Sequence, residues 1–134
     1  MALRYNLLIV DDQDGVRKFL CEAFAEEGYN VETAASGAEA VRKAGIRPPS
    51  LILLDIKMPG MSGLETLEGL RQIVPDTPVV IMTAYSELDI IAEVEKRGVK
   101  YYINKPFDLS ELRYLIRGLL GEEDLTDEAK KNIG

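Results

Sequence analysis

Short apolar runs alternate with amphipathic stretches along the chain. The clearest runs are Leu7–Val10, Leu51–Leu54 and Val79–Met82, and two weaker runs cover Tyr29–Thr33 and Lys100–Ile103. Apolar residues that follow one another without alternation are typical of strands covered on both faces. The pattern therefore predicts five short strands, most of them buried.

Between these runs, apolar residues recur at helical spacing. The first such stretch places one set of residues on a single helical face: Val16, Phe19, Leu20, Ala23 and Phe24. Similar faces begin at positions 64, 88 and 109, and a shorter helix is expected around 38–44. Five strands that alternate with five helices predict one α/β domain, in which a doubly wound parallel sheet carries helices on both faces.

Glycines and small polar residues mark the expected helix ends. Gly28, Gly45 and Gly98 follow helical stretches, at positions where a left-handed residue commonly ends a helix. Ser36 and Asp108 precede helical stretches, and each is followed three residues later by a glutamate. This spacing predicts a capping box at the start of the second and fifth helices.

Composition excludes several classes of function. The chain has 134 residues, a formal net charge of -7, one cysteine and no histidine. An acidic surface repels nucleic acids, and the lack of histidine removes histidine-based zinc sites and catalytic triads. No apolar run approaches the ~20 residues of a membrane span, and the N-terminus resembles no secretory signal. Because a lone Cys21 also suits a reducing compartment, we expect a cytoplasmic protein.

Polar residues stand where the predicted strands end. Ligands of open parallel sheets bind beyond the carboxyl ends of the strands. Asp11 and Asp12 follow the first strand, Asp55 ends the third, Thr83 follows the fourth, and the run Asn104–Pro106, which contains Lys105, follows the fifth. We therefore expect three carboxylates, a hydroxyl and an ammonium group to converge at the rim of the sheet that the carboxyl ends of the strands form.

This set of groups indicates phosphate chemistry more strongly than its members do alone. Asp11 and Asp12 are equally compatible with turn and cap positions, and Lys105 alone is compatible with a solvated surface lysine. Asp55, however, ends an apolar run, where an unpaired charge is costly to desolvate. Three adjacent carboxylates need a cation, and Mg²⁺ prefers oxygen ligands. With Lys105 and Thr83, they look like a clamp for a phosphoryl group.

Four segments resemble the signature blocks of response regulator receiver domains, the CheY-like family: Leu8–Asp12, Leu53–Gly63, Ile81–Ala84 and Lys105–Phe107. The resemblance covers about Tyr5 to Leu120. Gln13, Gly28–Tyr29 and Thr83–Asp89 add a closer likeness to the single-domain receiver type of the sporulation phosphorelay. The resemblance implies a flavodoxin-like sheet of order 2-1-3-4-5. It also implies a receiver domain over 1–120. The remaining residues, 121–134, are polar and acidic, and we expect them to form a short C-terminal extension rather than a domain.

The resemblance also implies a role for each residue of the rim. Asp55 is the nucleophile that becomes an aspartyl phosphate. Asp11, Asp12 and Asp55 bind Mg²⁺ together with the backbone carbonyl of Lys57, and we expect Mn²⁺ or another divalent ion to substitute. Lys105 pairs with Asp55 before the reaction and with the phosphoryl group afterwards. Such a domain is not an enzyme in the usual sense, although it catalyses its own phosphotransfer and a slow autodephosphorylation.

Switching and tuning residues are implied in the same way. Thr83 turns inward to hold a phosphoryl oxygen, and Tyr102 moves inward with it, although a half-buried strand aromatic is an equally good reading of Tyr102. The Lys105–Pro106 peptide bond is expected to be cis. We hypothesise that Lys57 and Tyr85 obstruct the attacking water and prolong the phosphorylated state.

The implied partners are a sensor histidine kinase, a histidine phosphotransferase, or both. They would contact a rim formed by Gln13, Asp14, Gly15, Tyr85 and Pro106. No direct contact with nucleic acid or membrane is expected. We expect a monomer, with a dimer through the fourth helix, fifth strand and fifth helix as the alternative.

Three other interpretations remain open from the sequence. The segment Asp12–Val16 also fits the opening motif of haloacid-dehalogenase-type phosphatases, but this leaves the position of Asp55 unexplained and lacks acidic residues after the fourth strand. The chain could instead be a receiver module from a longer DNA-binding regulator. It could also be a degenerate receiver that only binds partners, although every site residue is present.

Overall fold

The computed structural model describes residues 5–57, 62–83 and 88–121. Five strands and five helices alternate along the chain: β1 (Asn6–Val10), α1 (Asp14–Glu26), β2 (Asn30–Ala34), α2 (Gly37–Ile46), β3 (Leu51–Asp55), α3 (Gly63–Ile73), β4 (Val79–Thr83), α4 (Leu88–Lys96), β5 (Tyr101–Asn104) and α5 (Leu109–Leu119). The strands begin and end within one residue of the predicted runs. The tail from residue 122 onwards lies outside the described residues, so the predicted C-terminal extension stays a prediction.

The strands form one parallel sheet in the order β2-β1-β3-β4-β5, as expected. Every residue of β3 and β4 is buried, which explains why their sequences are continuously apolar up to the last residue. The edge strand β2 is only partly buried, and its sequence is accordingly mixed. Its weaker apolar run therefore reflects its place at the edge of the sheet.

Side chains alternate between the two faces of the sheet and form two separate cores. One core packs under α1 and α5 and includes Leu20, Phe24, Leu112 and Ile116. The other packs under α2, α3 and α4 and includes a longer set: Ala40, Ala44, Leu67, Leu70 and Val94. Each strand contributes alternate residues to both cores, so the strand ends are fixed from both sides.

The predicted face of α1 is wrong at one position. Leu20, Ala23 and Phe24 are buried, but the side chain of Phe19 is 53% exposed. Phe19 lies with Gly15 and Val16 beside the loop that precedes α5. Helical spacing placed Phe19 at the border of the apolar face, and the structure turns it outward.

The helix ends agree with the sequence in part. Gly28 and Gly98 have φ angles of 96° and 87° and end their helices as predicted. Gly45, in contrast, lies inside α2, which continues to Ile46, so the expected helix end there was wrong. The Ser36 hydroxyl accepts from the Glu39 N–H, while the Glu39 carboxylate accepts from Ala35 rather than completing a capping box.

Two further caps differ from the prediction. The Asp108 carboxylate accepts from the backbone N–H of Ser110, two residues on, at 2.8 Å, rather than forming the predicted capping box. A reciprocal capping box occurs instead at α3, between Ser62 and Glu65. This cap fixes the start of the helix that follows β3.

Gly63 allows α3 to begin directly against the end of β3. A Cβ atom on Gly63 would lie 2.3 Å from the carbonyl oxygen of Ile56, far inside van der Waals contact. Only glycine fits this position without moving the backbone. The close approach therefore ties α3 to the residue that follows Asp55.

Helices α1 and α5 are joined at one end by an ionic contact. The Glu27 carboxylate lies 2.7 Å from an Arg117 guanidinium nitrogen and 2.8 Å from Nε of Arg113. The glutamate side chain is only 14% exposed. Because both arginines come from α5 and Glu27 follows α1, this cluster holds the two helices on one face of the sheet.

Candidate functional site

Three acidic residues meet at the carboxyl ends of β1 and β3. Asp11 is completely buried and Asp55 is 5% exposed, whereas Asp12 is exposed. Carboxylate oxygens of the three residues lie within 4.8 Å of one another. The convergence follows from the sheet order, because β1 and β3 are adjacent and parallel.

Lys105 brings a positive charge to the two buried acids. Its Nζ donates a hydrogen bond to Oδ2 of Asp11 at 2.7 Å and lies 3.4 Å from Oδ2 of Asp55. The lysine comes from the loop after β5, two strands away from Asp55. Its side chain thus reaches back across the rim to contact both carboxylates.

These surroundings shift the protonation of Asp55. Burial, with the nearby negative charge of Asp11 as a second cause, raises the pKa of Asp55 from 3.8 to about 6. Lys105 and a hydrogen bond from the backbone N–H of Lys57 act in the opposite direction. Burial also acts to lower the pKa of Lys105, but the hydrogen bond to Asp11 and the charge of Asp55 outweigh it and raise that pKa.

Arg17 supports the site although nothing in the sequence singled it out. Its guanidinium donates to the backbone carbonyl of Asp11 at 2.6 Å and forms an ion pair with Asp14. The Asp11 carboxylate accepts in turn from the backbone N–H of Gln13 at 2.9 Å. The only available signal was helical spacing, which places Arg17 and Asp14 three residues apart at the start of α1.

Thr83 ends β4 at the same rim. It is 1% exposed, and its carbonyl oxygen accepts a hydrogen bond of 2.6 Å from the backbone N–H of Lys105. This contact holds the loop after β5 beside the end of β4. The Lys105–Pro106 peptide bond in this loop is cis.

The acidic residues fit a divalent cation of the magnesium type. All three offer carboxylate oxygens, which is the donor chemistry that Mg²⁺ prefers. Lys105 balances only one of the three negative charges, so a cation would relieve the remaining repulsion. The desolvated Asp55 carboxylate, whose pKa is raised, has the most to gain from such an ion.

A shallow cavity of about 340 Å³ opens beside this rim between the start of α1 and the loop after β5. It is lined by Gly15, Val16, Phe19, Lys105, Pro106 and Phe107. Gln13 and Asp14 border the same region in the chain, and Asp14 is exposed. Two of the five residues expected at the partner rim, Gly15 and Pro106, thus line this cavity directly.

The remaining site residues lie in different settings. Lys57 directly follows the end of β3 and is exposed. Tyr102 is partly buried against the core under α2, α3 and α4. Tyr85 falls in 84–87, outside the described residues, as do positions 58–61 of the second signature block.

Comparison with known proteins identifies the family of this chain. Residues 7–117 match the sequence profile of the response regulator receiver domain. The chain belongs to the response regulator receiver domain family. It is 44% identical to sporulation initiation phosphotransferase F of Bacillus subtilis (strain 168) over 115 residues, covering 86% of this chain and 93% of that protein. The chain therefore functions as a two-component phosphoacceptor domain. The interpretation as a haloacid-dehalogenase-type phosphatase is not favoured.

Other similar proteins contain the receiver domain in two settings. The regulatory protein AtoC of Escherichia coli (strain K12) is 37% identical over 93% of this chain, but the chain spans only 27% of that relative. The structure of a CheY-like receiver domain protein from Methanospirillum hungatei JF-1 aligns with a TM-score of 0.85 and 32% identity, covering 90% of this chain and 96% of that one. Receiver domains thus occur both nearly alone and as a quarter of a longer regulator.

No described helix is long and apolar enough to cross a membrane.

Proposed function

We propose that the receiver domain accepts a phosphoryl group on the Asp55 carboxylate. The observation that carries this proposal is the pairing of a buried aspartate, whose pKa is raised to about 6, with a lysine ammonium 3.4 Å away. At neutral pH such a carboxylate is mostly ionised yet poorly solvated, which suits a nucleophile. Asp11, equally buried, already accepts a hydrogen bond from the same lysine.

The transfer is a displacement at phosphorus. A carboxylate oxygen of Asp55 attacks the phosphorus of a phosphohistidine, a P–O bond forms, and the P–N bond breaks. Its electron pair leaves on the imidazole nitrogen, which takes a proton from water. Lys105 then balances the added negative charge on the phosphoryl oxygens, because its Nζ lies between Asp11 and Asp55.

Asp11, Asp12 and Asp55 would hold Mg²⁺, or another divalent ion in its place, together with the backbone carbonyl of Lys57. The ion, when bound, would neutralise charge on the carboxylates and on the phosphoryl oxygens. Arg17 keeps the backbone of Asp11 in position, and Gln13 orients its carboxylate through a backbone N–H. The protein thus orients its acidic ligands before the reaction.

Thr83 is the proposed second contact of the phosphoryl group, through its hydroxyl, and Tyr102 the aromatic that responds. Two observations support this assignment: Thr83 is buried at the end of β4, and its carbonyl oxygen accepts a hydrogen bond from the backbone N–H of Lys105 in the loop after β5. A charge added at Asp55 therefore acts on two strands at once. Such a covalent charge, lost again by hydrolysis, makes a reversible switch.

The donor is proposed to be a histidine kinase or a histidine phosphotransferase that docks at the rim of Gln13, Asp14, Gly15, Tyr85 and Pro106. The cavity beside Gly15 and Pro106 opens next to Lys105, so a docked histidine would stand near Asp55. We also propose a cytoplasmic location, the compartment in which ATP is available to such kinases. The receiver domain is expected to act as a monomer.

Intact mass after incubation with acetyl phosphate tests the proposal. Wild-type protein should gain one phosphoryl group with Mg²⁺ and none with a chelator, and Asp55→Asn should gain none. Asp76→Asn, which changes an exposed aspartate far from the rim, serves as the matched control and should behave as wild type. A phosphoryl group that still appears on Asp55→Asn would contradict the assignment of Asp55.

A further inference from the structure

Asn104 carries a buried acceptor that the proposed chemistry does not use. Among the residues that the structure describes, its Oδ1 is shielded from solvent and has no hydrogen-bond partner. A buried polar atom without a partner is uncommon in folded proteins and unfavourable. A conformation that offers Oδ1 a donor would therefore be favoured over the present one.

The position of Asn104 connects it with the rim. It is the last residue of β5, directly before Lys105, and its register partner on β4 is Thr83. Because side chains alternate along a strand, Asn104 lies on the same face of β5 as Tyr102. Tyr102 packs against the core under α2, α3 and α4, so this face is the one opposite α1 and α5.

Tyr102 carries a hydroxyl donor within reach of this acceptor. It stands two residues before Asn104 on the same face, a separation of roughly 7 Å between Cα atoms. A tyrosine ring laid along the strand towards its carboxyl end spans such a separation. Its phenolic hydroxyl is a good donor to a carboxamide oxygen.

We propose that Asn104 is a positioning residue, whose Oδ1 accepts a hydrogen bond from the Tyr102 hydroxyl when Asp55 carries a phosphoryl group. The inference rests on the proposed function, since it needs a phosphoryl-bearing state. The bond stabilises the inward conformer of Tyr102 and therefore the phosphoryl-bearing state that is coupled to it. Asn104 thus sets how strongly a charge at Asp55 is converted into a movement of Tyr102.

The proposed hydrogen bond between Tyr102 and Asn104 is tested by measuring the affinity of the protein for fluoroberyllate, a phosphoryl mimic, in the presence of Mg²⁺. Asn104→Leu keeps the size of the side chain and removes the acceptor, and Tyr102→Phe removes only the donor. Each should weaken fluoroberyllate binding by about tenfold, as expected for one hydrogen bond, and the double variant should lose no more than either one. Asn104→Ala should agree with Asn104→Leu. Asn30→Leu, at an exposed asparagine on the other edge strand, should bind as wild type.

A spectroscopic readout separates positioning from loss of folding. With 3-fluorotyrosine incorporated, fluoroberyllate should shift the Tyr102 ¹⁹F resonance in wild type, and the shifted population should fall in Asn104→Leu. Unchanged affinity and resonance in Asn104→Leu would overturn the inference. A loss in Asn104→Leu without one in Tyr102→Phe would overturn it as well, because the donor would then be another group. Wild-type protein that binds no fluoroberyllate would overturn the proposed function together with this inference.

Discussion

Replacing Asp55 with asparagine should stabilise the metal-free protein at neutral pH. The pKa of Asp55 is higher in the folded protein than its ordinary value of 3.8, so the folded state binds this proton more tightly than the unfolded chain does. The resulting stabilisation is fully present below about pH 3.8 and is lost as the pH rises through about 6. Asparagine resembles the protonated acid and does not titrate, so the variant avoids this loss.

The size of this stabilisation follows from the shift in the pKa of Asp55. With the pKa at 3.8 in the unfolded chain and about 6 in the folded one, ionisation of Asp55 destabilises the fold. The cost is about 1 kcal/mol at pH 4.5 and about 3 kcal/mol at pH 7.5. The free energy of unfolding of Asp55→Asn should therefore exceed that of wild type by a margin that grows by about 2 kcal/mol between these pH values.

Urea denaturation with a chelator present, at pH 4.5 and at pH 7.5, measures this margin. Asp76→Asn, at an exposed aspartate, should show no such growth. Saturating Mg²⁺ at pH 7.5 should stabilise wild type more than Asp55→Asn, because the ion relieves the charge that asparagine lacks. A margin that stays constant or shrinks towards neutral pH would refute the reasoning about burial and the neighbouring charge of Asp11.

Three further predictions concern the surroundings of the site. Gly63→Ala should lower the free energy of unfolding by about 3 kcal/mol in urea denaturation, because its Cβ would overlap a backbone carbonyl. Gly15→Ala, which has open space around it, should instead gain about 0.5 kcal/mol, and equal effects would contradict the overlap. Glu27→Gln should cost about 2 kcal/mol through its weakened contacts with two arginines, whereas exposed Glu26→Gln should stay within about 0.5 kcal/mol. Lys57→Ala should shorten the lifetime of the phosphorylated protein severalfold when its decay is followed by mass, and an unchanged decay rate would count against obstruction of water.

The strands were predictable because a strand that is buried on both faces consists of consecutive apolar residues. β3 and β4 are buried at every position, so their apolar runs are unbroken up to Asp55 and Thr83. The ends of these runs also place both polar residues at the rim. The order of the strands in the sheet was predicted from the family resemblance. An apolar run alone does not indicate which strand lies beside it.

Contacts between distant side chains were harder to predict. Arg17 supports Asp11 through a backbone carbonyl, which every residue possesses, so no residue type signals the contact. Phe19 has the spacing of a core residue, yet it lies at the border of its helical face and is exposed. The orphan oxygen of Asn104 becomes visible only when the packing around β5 is known.

Strand alternation divides the site between the two faces of the sheet. Asp55 follows Leu51 and Leu53 on the face under α1 and α5, whereas Thr83 follows Val79 and Ile81 on the opposite face. The carboxylate proposed to attack phosphorus and the hydroxyl proposed to contact the phosphoryl group therefore lie on different faces of the sheet. A phosphoryl group that contacts both would connect these cores through the ends of β3 and β4. The charge of the phosphoryl group would thus act on the face of the sheet that carries Tyr102. It would do so without any movement of α1, the helix beside which a phosphate donor is proposed to dock.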